Sequence, residues 1–488
     1  MSSATVSFTP LAIVLISAFA VIPISLSGRN PNLREFWTFL AGSLKLMLLF
    51  SLLEPIKNGI VVQFELWKVL PGVSLHFSVD AFGLLFAFVA CLLWLPTSLY
   101  CIGYMRGLKE HAQTRFFACF ALALSATAGV AFAGNLLTLY LFYEILSLST
   151  FPLVAHHQDG EARTGGRKYL TYLLATSIGL VLPAMIITYQ ITGTLEFSNM
   201  GIYGESVKPG TLLVLLLLFL YGFAKSGLMP LHSWLPGAMV APTPVSALLH
   251  AVAVVKVGVF CNLRVITGIF GIEVLSKTYL DTVICVIAGI TVIVSSLIAL
   301  SQDNLKRRLA FSTVGQLSYI ILGAGLATTY GVKGAMLHIC MHAFGKITLF
   351  MCAGAIFVAS GKKYISQMQG LGLKMPFTFG AFLIGSLSVI GLPPAGGFVS
   401  KWLLLKGTLA AEHWPMMLVL LGSSLLNAAY FIPIVYQAFF GKDLLPENEN
   451  VREAPLCTVP LCITALFCIV LFAYPEPFLT LATLAVGE

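Results

Sequence analysis

Lys225-Ser226-Gly227-Leu228-Met229-Pro230-Leu231-His232-Ser233-Trp234-Leu235-Pro236 interrupts an apolar run that begins near residue 211. A proline removes a backbone donor and kinks a helix, and a glycine adds backbone freedom. Irregular backbone at membrane depth is tolerated only where protein or a wet cavity covers it. A charge in hydrocarbon costs roughly 2.5–3.5 kcal/mol by insertion scales, so Lys225 is expected to be functional. A second stretch repeats the combination: Gly391-Leu-Pro393-Pro394-Ala-Gly396-Gly397-Phe-Val-Ser400-Lys401-Trp402. Each joins a lysine, a Gly/Pro break and a tryptophan. Paired interrupted helices in corresponding halves point to an inverted-repeat transport fold and to its site. Pro230, Pro393 and Pro394 are the expected helix breaks. Lys225 precedes Pro230 by five residues and Lys401 follows Pro394 by seven. If the two helices run in opposite senses, both lysines lie on the same side of their breaks. That gives a row parallel to the membrane plane rather than a vertical pore.

The surrounding chain supports a membrane setting. Of 488 residues, 58% are hydrophobic and 10% charged, against about 25% charged in soluble domains. The mean hydropathy is +0.92. The expected fold is an all-α polytopic membrane protein. At about 20 residues per crossing, fourteen helices are expected, over roughly 7–27, 35–55, 80–104, 115–133, 135–156, 168–192 and 211–230, then 244–268, 279–301, 308–327, 332–359, 377–411, 415–440 and 456–484. One integral domain follows: residues 1–110 hold helices 1–3, 115–268 a first inverted repeat, 279–440 a second, and 456–484 the last helix. The first basic residue, Arg29, follows the first apolar run, so that run reads as a retained helix and not a cleaved signal. Residues 56–79, with Gly, Pro and aromatic residues, are expected on the outer surface.

Counting the 28 basic residues gives both orientation and site. Sixteen fall in the loops after odd-numbered helices (among them Arg106, Lys109, Arg115, Arg163, Arg167, Lys168, Lys306, Arg307, Arg308, Lys362 and Lys363), and seven on the other face. The positive-inside rule then puts both termini outside the cell membrane. Five remain inside spans: Lys45, Lys225, Lys256, Lys346 and Lys401. Lys45 lacks polar companions and reads as a snorkelling side chain or a contact to a neighbouring subunit.

Glu144, the one acid deep in a span, is flanked by Tyr140, Tyr143, Ser147 and Ser149. Its functional reading is an ion pair with Lys225 that opens and closes; the plain alternative is a structural carboxylate kept neutral. Lys256 shares the eighth segment with His250, but six residues place them about 120° apart and about 9 Å apart in rise, so water would have to bridge them. His338, His342 and Lys346 recur every four residues and form a stripe about 12 Å long on one helix face. Imidazoles near neutral pKa suit a proton relay. Zinc is the lesser reading there, because the HExxH glutamate is absent and no third ligand is evident.

No other chemistry is indicated. The ten cysteines contain no CxxC pair, so neither an iron–sulfur cluster nor a disulfide framework is expected. No phosphate loop, dinucleotide fingerprint or haem pattern is present. No cofactor and no metal are expected in this chain, and no redox site of its own.

The order of these motifs resembles the antiporter-like subunits shared by respiratory complex I, Mrp-type cation/proton antiporters and membrane-bound hydrogenases. The resemblance covers essentially the whole chain. It rests on Tyr143-Glu144, the stretch 225–236, Ala241-Pro-Thr-Pro-Val-Ser-Ala-Leu-Leu-His250 with Lys256, the His338/His342/Lys346 stripe, and Lys401. It implies fourteen helices, two inverted five-helix repeats and a hydrated central axis. Glu144–Lys225 would drive protons through Lys256 toward Lys401, supported by His250, His338, His342 and Lys346. The implied partners are other membrane subunits, protons, the lipid bilayer and, in Mrp members, sodium; nucleic acid is not among them. By size the chain suits the Mrp D type. The alternatives are a membrane subunit of NADH:quinone oxidoreductase or of a hydrogenase, and a membrane partner in energy-coupled inorganic-carbon uptake.

Overall fold

The computed structural model describes residues 4–204, 206–248, 252–442 and 451–487. Helices dominate, and their starts follow local chemistry. Asn30 accepts from the Leu33 N–H ahead of α2 (Pro31–Ser51), with Pro31 at the first turn. Asp80 caps α3 (Ala81–Gly107), and Asn135 caps α5 (Leu136–Val154). Such side chains satisfy backbone donors that the helix itself leaves open. Between them run α1 (Thr9–Leu26), which precedes α2, and α4 (Gln113–Ala131). After α5 come α6 (Gly160–Thr192, with a π-helical turn at Ser177–Val181), α7 (Pro209–Gly222) and α8 (Val254–Val265).

The second half holds α9 (Leu280–Ser301), α10 (Leu305–Gly325), α11 (Thr329–Ser360), α12 (Pro376–Ile390), α13 (Gly397–Ala410) and α14 (Trp414–Phe440). The chain finishes with α15 (Pro455–Ala473) and α16 (Glu476–Ala485). Among the described residues, ten helices are long and apolar enough to cross a membrane, and α7 and α12 are shorter apolar helices. α3, α10 and α11 are buried almost all round and form the centre, whereas α1 and α2 turn Phe19, Ile22, Met47 and Phe50 outward. That outward apolar surface is what a lipid solvent requires.

Two expectations about the fold change. The chain is not purely helical: β1 (Ala4–Val6) pairs in parallel with β2 (Val61–Leu70), which pairs antiparallel with β3 (Val73–Val79). The expected surface stretch at 56–79 is therefore a hairpin. Alternation such as Val61-Val62-Gln63-Phe64-Glu65 suits a sheet with one packed face. The last span is also not one helix, because Tyr474 and Pro475 separate α15 from α16.

Lys45 is the third correction. Its ammonium does not reach outward but donates to Ser17 Oγ and to the Leu124 carbonyl, both at 2.9 Å. Trp94 lies 5.7 Å from it, and the side chain is fully buried between α1, α2 and α4. Two hydrogen-bond acceptors reduce the cost of burial where snorkelling is blocked by neighbouring helices.

Candidate functional site

The first break begins earlier than Pro230. α7 ends at Gly222, Phe223 leaves helical geometry (φ −80°, ψ 55°), and Lys225 sits in the single 3₁₀ turn Ala224–Ser226. Lys225 is thus inside the break and not on the helix ahead of it. The cause is tertiary. Its N–H donates to the Tyr143 hydroxyl at 3.3 Å, replacing a helical bond. Gly258 of α8 lies so close that an added Cβ would overlap Ser226 N and Lys225 C. The Trp234 indole donates back across the gap to the Ala224 carbonyl at 3.0 Å.

Tyr143 surrounds the Lys225 ammonium. Nζ donates to the Tyr143 carbonyl and to Ser147 Oγ, each at 2.7 Å, and lies 3.1 Å from the Tyr143 ring centroid. The expected Glu144–Lys225 ion pair is not closed in this state. Both Glu144 carboxylate oxygens are buried without a hydrogen-bond partner. The physical reason is competition: a carbonyl, a hydroxyl and a ring face already hold the cation.

The second break is built differently. α12 ends at Ile390, Gly391 turns left-handed (φ 88°), and α13 restarts at Gly397, with Pro393 and Pro394 between. Lys401 lies in the second turn of α13 and reaches back to the Ile390 carbonyl at 3.0 Å and Ser424 Oγ at 3.1 Å. A helix C-terminus presents unpaired carbonyls and partial negative charge, so it suits a cation. Tyr319 lies beneath, its ring centroid 4.5 Å from Nζ.

Between the breaks, side chains far apart in sequence meet. Lys256 Nζ and His342 Nδ1 are 2.5 Å apart. The His342 and His338 rings stack at 5.7 Å with 21° between planes. His338 continues to Ser400 Oγ (2.9 Å) and Gln316 Oε1 (3.1 Å), and stacks on Tyr319 at 5.7 Å. All four of Lys256, His342, His338 and Gln316 are buried. The stripe predicted on α11 therefore splits. Lys346 turns to Ser312 Oγ (2.7 Å) and the Leu309 carbonyl (3.3 Å) of α10, where Tyr430 also joins Ser312 at 2.9 Å. His250 lies outside the described residues.

Sequence reading missed Ser312, Gln316, Tyr319, Ser424, Tyr430 and Gly258. A polar residue on a buried helix is a weak signal alone, and Gly258 is one glycine among 43. The basic loops also hold neighbouring backbone. Lys306 donates to the Ala241 carbonyl at 2.6 Å and Arg308 to the Tyr430 carbonyl at 2.9 Å. Lys306 also lines a cavity of about 880 Å³ with Glu110, His157, Lys168, His232 and Phe311. This cavity opens among the loops richest in Lys and Arg.

Comparison with known proteins agrees with this architecture. The family model "NADH:quinone oxidoreductase/Mrp antiporter, TM" matches residues 133–427. NADH-quinone oxidoreductase subunit N of Desulforudis audaxviator is 33% identical over 371 residues, 74% of this chain and 72% of that protein. An Na(+)/H(+) antiporter subunit of Alkalihalophilus pseudofirmus is 32% identical over 431 residues, 82% of this chain. The chain spans only about half of that relative's length, 52%. A chain of the membrane-bound sulfane sulfur reductase, an archaeal respiratory membrane complex, superposes with a TM-score of 0.88 at 24% identity, over 99% of this chain and 97% of that one. The matched segment runs from ahead of α5 into α14 and contains Glu144, Lys225, Lys256, His338, His342, Lys346 and Lys401. This multi-pass membrane chain belongs to the NADH:quinone oxidoreductase/Mrp antiporter transmembrane family.

Proposed function

We propose that the chain is a proton-translocating membrane subunit of a multisubunit assembly of the Mrp or complex I kind, in the cell membrane. The carrying observation is the buried succession Lys256–His342–His338–Ser400, ending beside Tyr319 and Lys401. It links α8 to α11 and α13, so it runs across helices and not along one. Titratable groups inside a membrane are costly and mark ion pathways. A water between the stacked imidazoles completes the relay, and the unpartnered His342 Nε2 offers it a hydrogen-bonding site.

Lys225 and Glu144 form the gate. With the pair open, the ammonium rests on Tyr143 and Ser147. Closing it would bring the two buried charges together and change the field at Lys256. Fourteen crossings, two inverted repeats and outside termini are the topology in which Lys225 and Lys401 take matching depths. Relatives named as antiporter and quinone oxidoreductase subunits support the reading. The neighbouring subunits and any exchanged sodium belong to that assembly.

The test is proton movement in proteoliposomes carrying the purified assembly. His342→Phe and Lys256→Met are expected to abolish it while the subunit remains assembled. Unchanged proton movement in both variants overturns the pathway.

A further inference from the structure

We propose that Glu110, His111 and His157, with His156 behind them, form a binding site for a divalent transition-metal cation of the zinc class at the cavity rim. The four residues come as two adjacent pairs from two loops, Glu110-His111 after α3 and His156-His157 after α5. One carboxylate oxygen, Glu110 Oε2, is their common centre. It lies 3.6 Å from His157 Nδ1, 3.8 Å from His156 Nε2 and 4.0 Å from His111 Nδ1. Donor atoms of Glu110, His111 and His157 all fall within 4.8 Å of one another. Bonds of about 2.0–2.1 Å in a tetrahedral zinc site put donors roughly 3.3 Å apart. A modest contraction of the cluster would reach that spacing.

The second observation is His156. It is fully buried, yet neither ring nitrogen has a hydrogen-bond partner. A buried imidazole without a partner is costly unless something else satisfies it. Its Nε2 faces the Glu110 carboxylate, and its ring centroid is 4.8 Å from that of His111. Backbone contacts hold the pairs in place: Arg115 donates to the His156 carbonyl at 3.0 Å, and the Glu110 N–H donates to Met105 O at 2.9 Å.

The donor set selects the cation. Imidazoles with one carboxylate suit zinc, copper, nickel or iron, whereas magnesium and calcium take oxygen cages. Access is open, because Glu110 and His157 line the cavity and His111 is half exposed. A bound ion would tie the loop after α3 to the loop after α5 at the rim of that cavity. The site is independent of the membrane-buried relay, so its test does not depend on transport.

The experiment uses the untagged full-length protein in its assembly, in lipid nanodiscs, titrated with Zn²⁺ and with Co²⁺ as a spectroscopic probe. Wild type is expected to bind one more equivalent per copy than His111→Gln/His157→Gln, with Co²⁺ giving visible d–d absorption of a four-coordinate site. Excess Mg²⁺ should not compete. His157→Cys keeps a ligand and should retain the equivalent, adding a near-ultraviolet sulfur-to-cobalt band. Equal stoichiometry in wild type and the double glutamine variant overturns the site. So does a folded His157→Cys protein without the sulfur-to-cobalt band.

Discussion

The two helix breaks carry a lysine each, but they hold it in opposite ways. At the first, Lys225 lies inside the gap, fully buried, with Tyr143 supplying a hydroxyl, a carbonyl and a ring face. A carboxylate waits nearby without partners of its own. At the second, Lys401 stands on regular helix, partly exposed, and reaches back to the Ile390 carbonyl. No acid shares that site among the described residues. The first break thus sets a cation near an acid to which it is not bonded, and the second rests a cation on a helix end. Position relative to the break explains the contrast. Inside a gap, backbone groups are unpaired and must be supplied from neighbouring helices; past it, the lysine itself satisfies the orphan carbonyl.

The largest effect should come from the charge pair. Lys225→Ala leaves a buried Glu144 without a countercharge, and proton movement by the reconstituted assembly should vanish. Lys401→Ala should leave a measurable remainder, since Lys401 is partly exposed and water can take the place of its ammonium. If Lys401→Ala proved the more damaging of the two, the contrast between gate and resting place would collapse. A smaller effect is expected from Gly258→Ala. The new methyl pushes on the Lys225 backbone, costing about 1–3 kcal/mol as overpacking does and lowering Tm. Gly380→Ala, where nothing lies within 4 Å, is the control that should melt like wild type. The smallest change is Ser424→Ala. It removes one of the two hydrogen-bond acceptors of Lys401, so its cost in thermal unfolding should be about 0.5–1.5 kcal/mol. A larger loss would mean that Ser424, not the helix end, fixes the cation.

Much of this was legible along the chain. The lengths of the apolar runs, the Gly/Pro interruptions at 227–230 and 391–397, and the five basic residues left inside spans all follow from local rules of burial and backbone geometry. The small sheet was missed because the stretch 56–79 was read for its Gly, Pro and aromatic content and not for the alternation along Val61–Leu70. Lys45 was misjudged because its acceptors, Ser17 and the Leu124 carbonyl, sit on other helices. The Glu110/His111 and His156/His157 pairs drew no notice because each is ordinary in a loop, and 45 positions separate the nearer members of the two pairs.

Local sequence is enough to show that this is a membrane protein, that two of its apolar runs are interrupted and which basic residues lie inside spans. Those properties depend on composition and on periods of a few residues. Which groups touch follows from the packed bundle: Lys256 with His342, Lys225 with Tyr143 in place of Glu144, and Lys346 with Ser312 in place of the histidine stripe. Contact between helices depends on their depth and rotation against one another. Both are set by packing over the whole bundle, so local sequence leaves them undetermined.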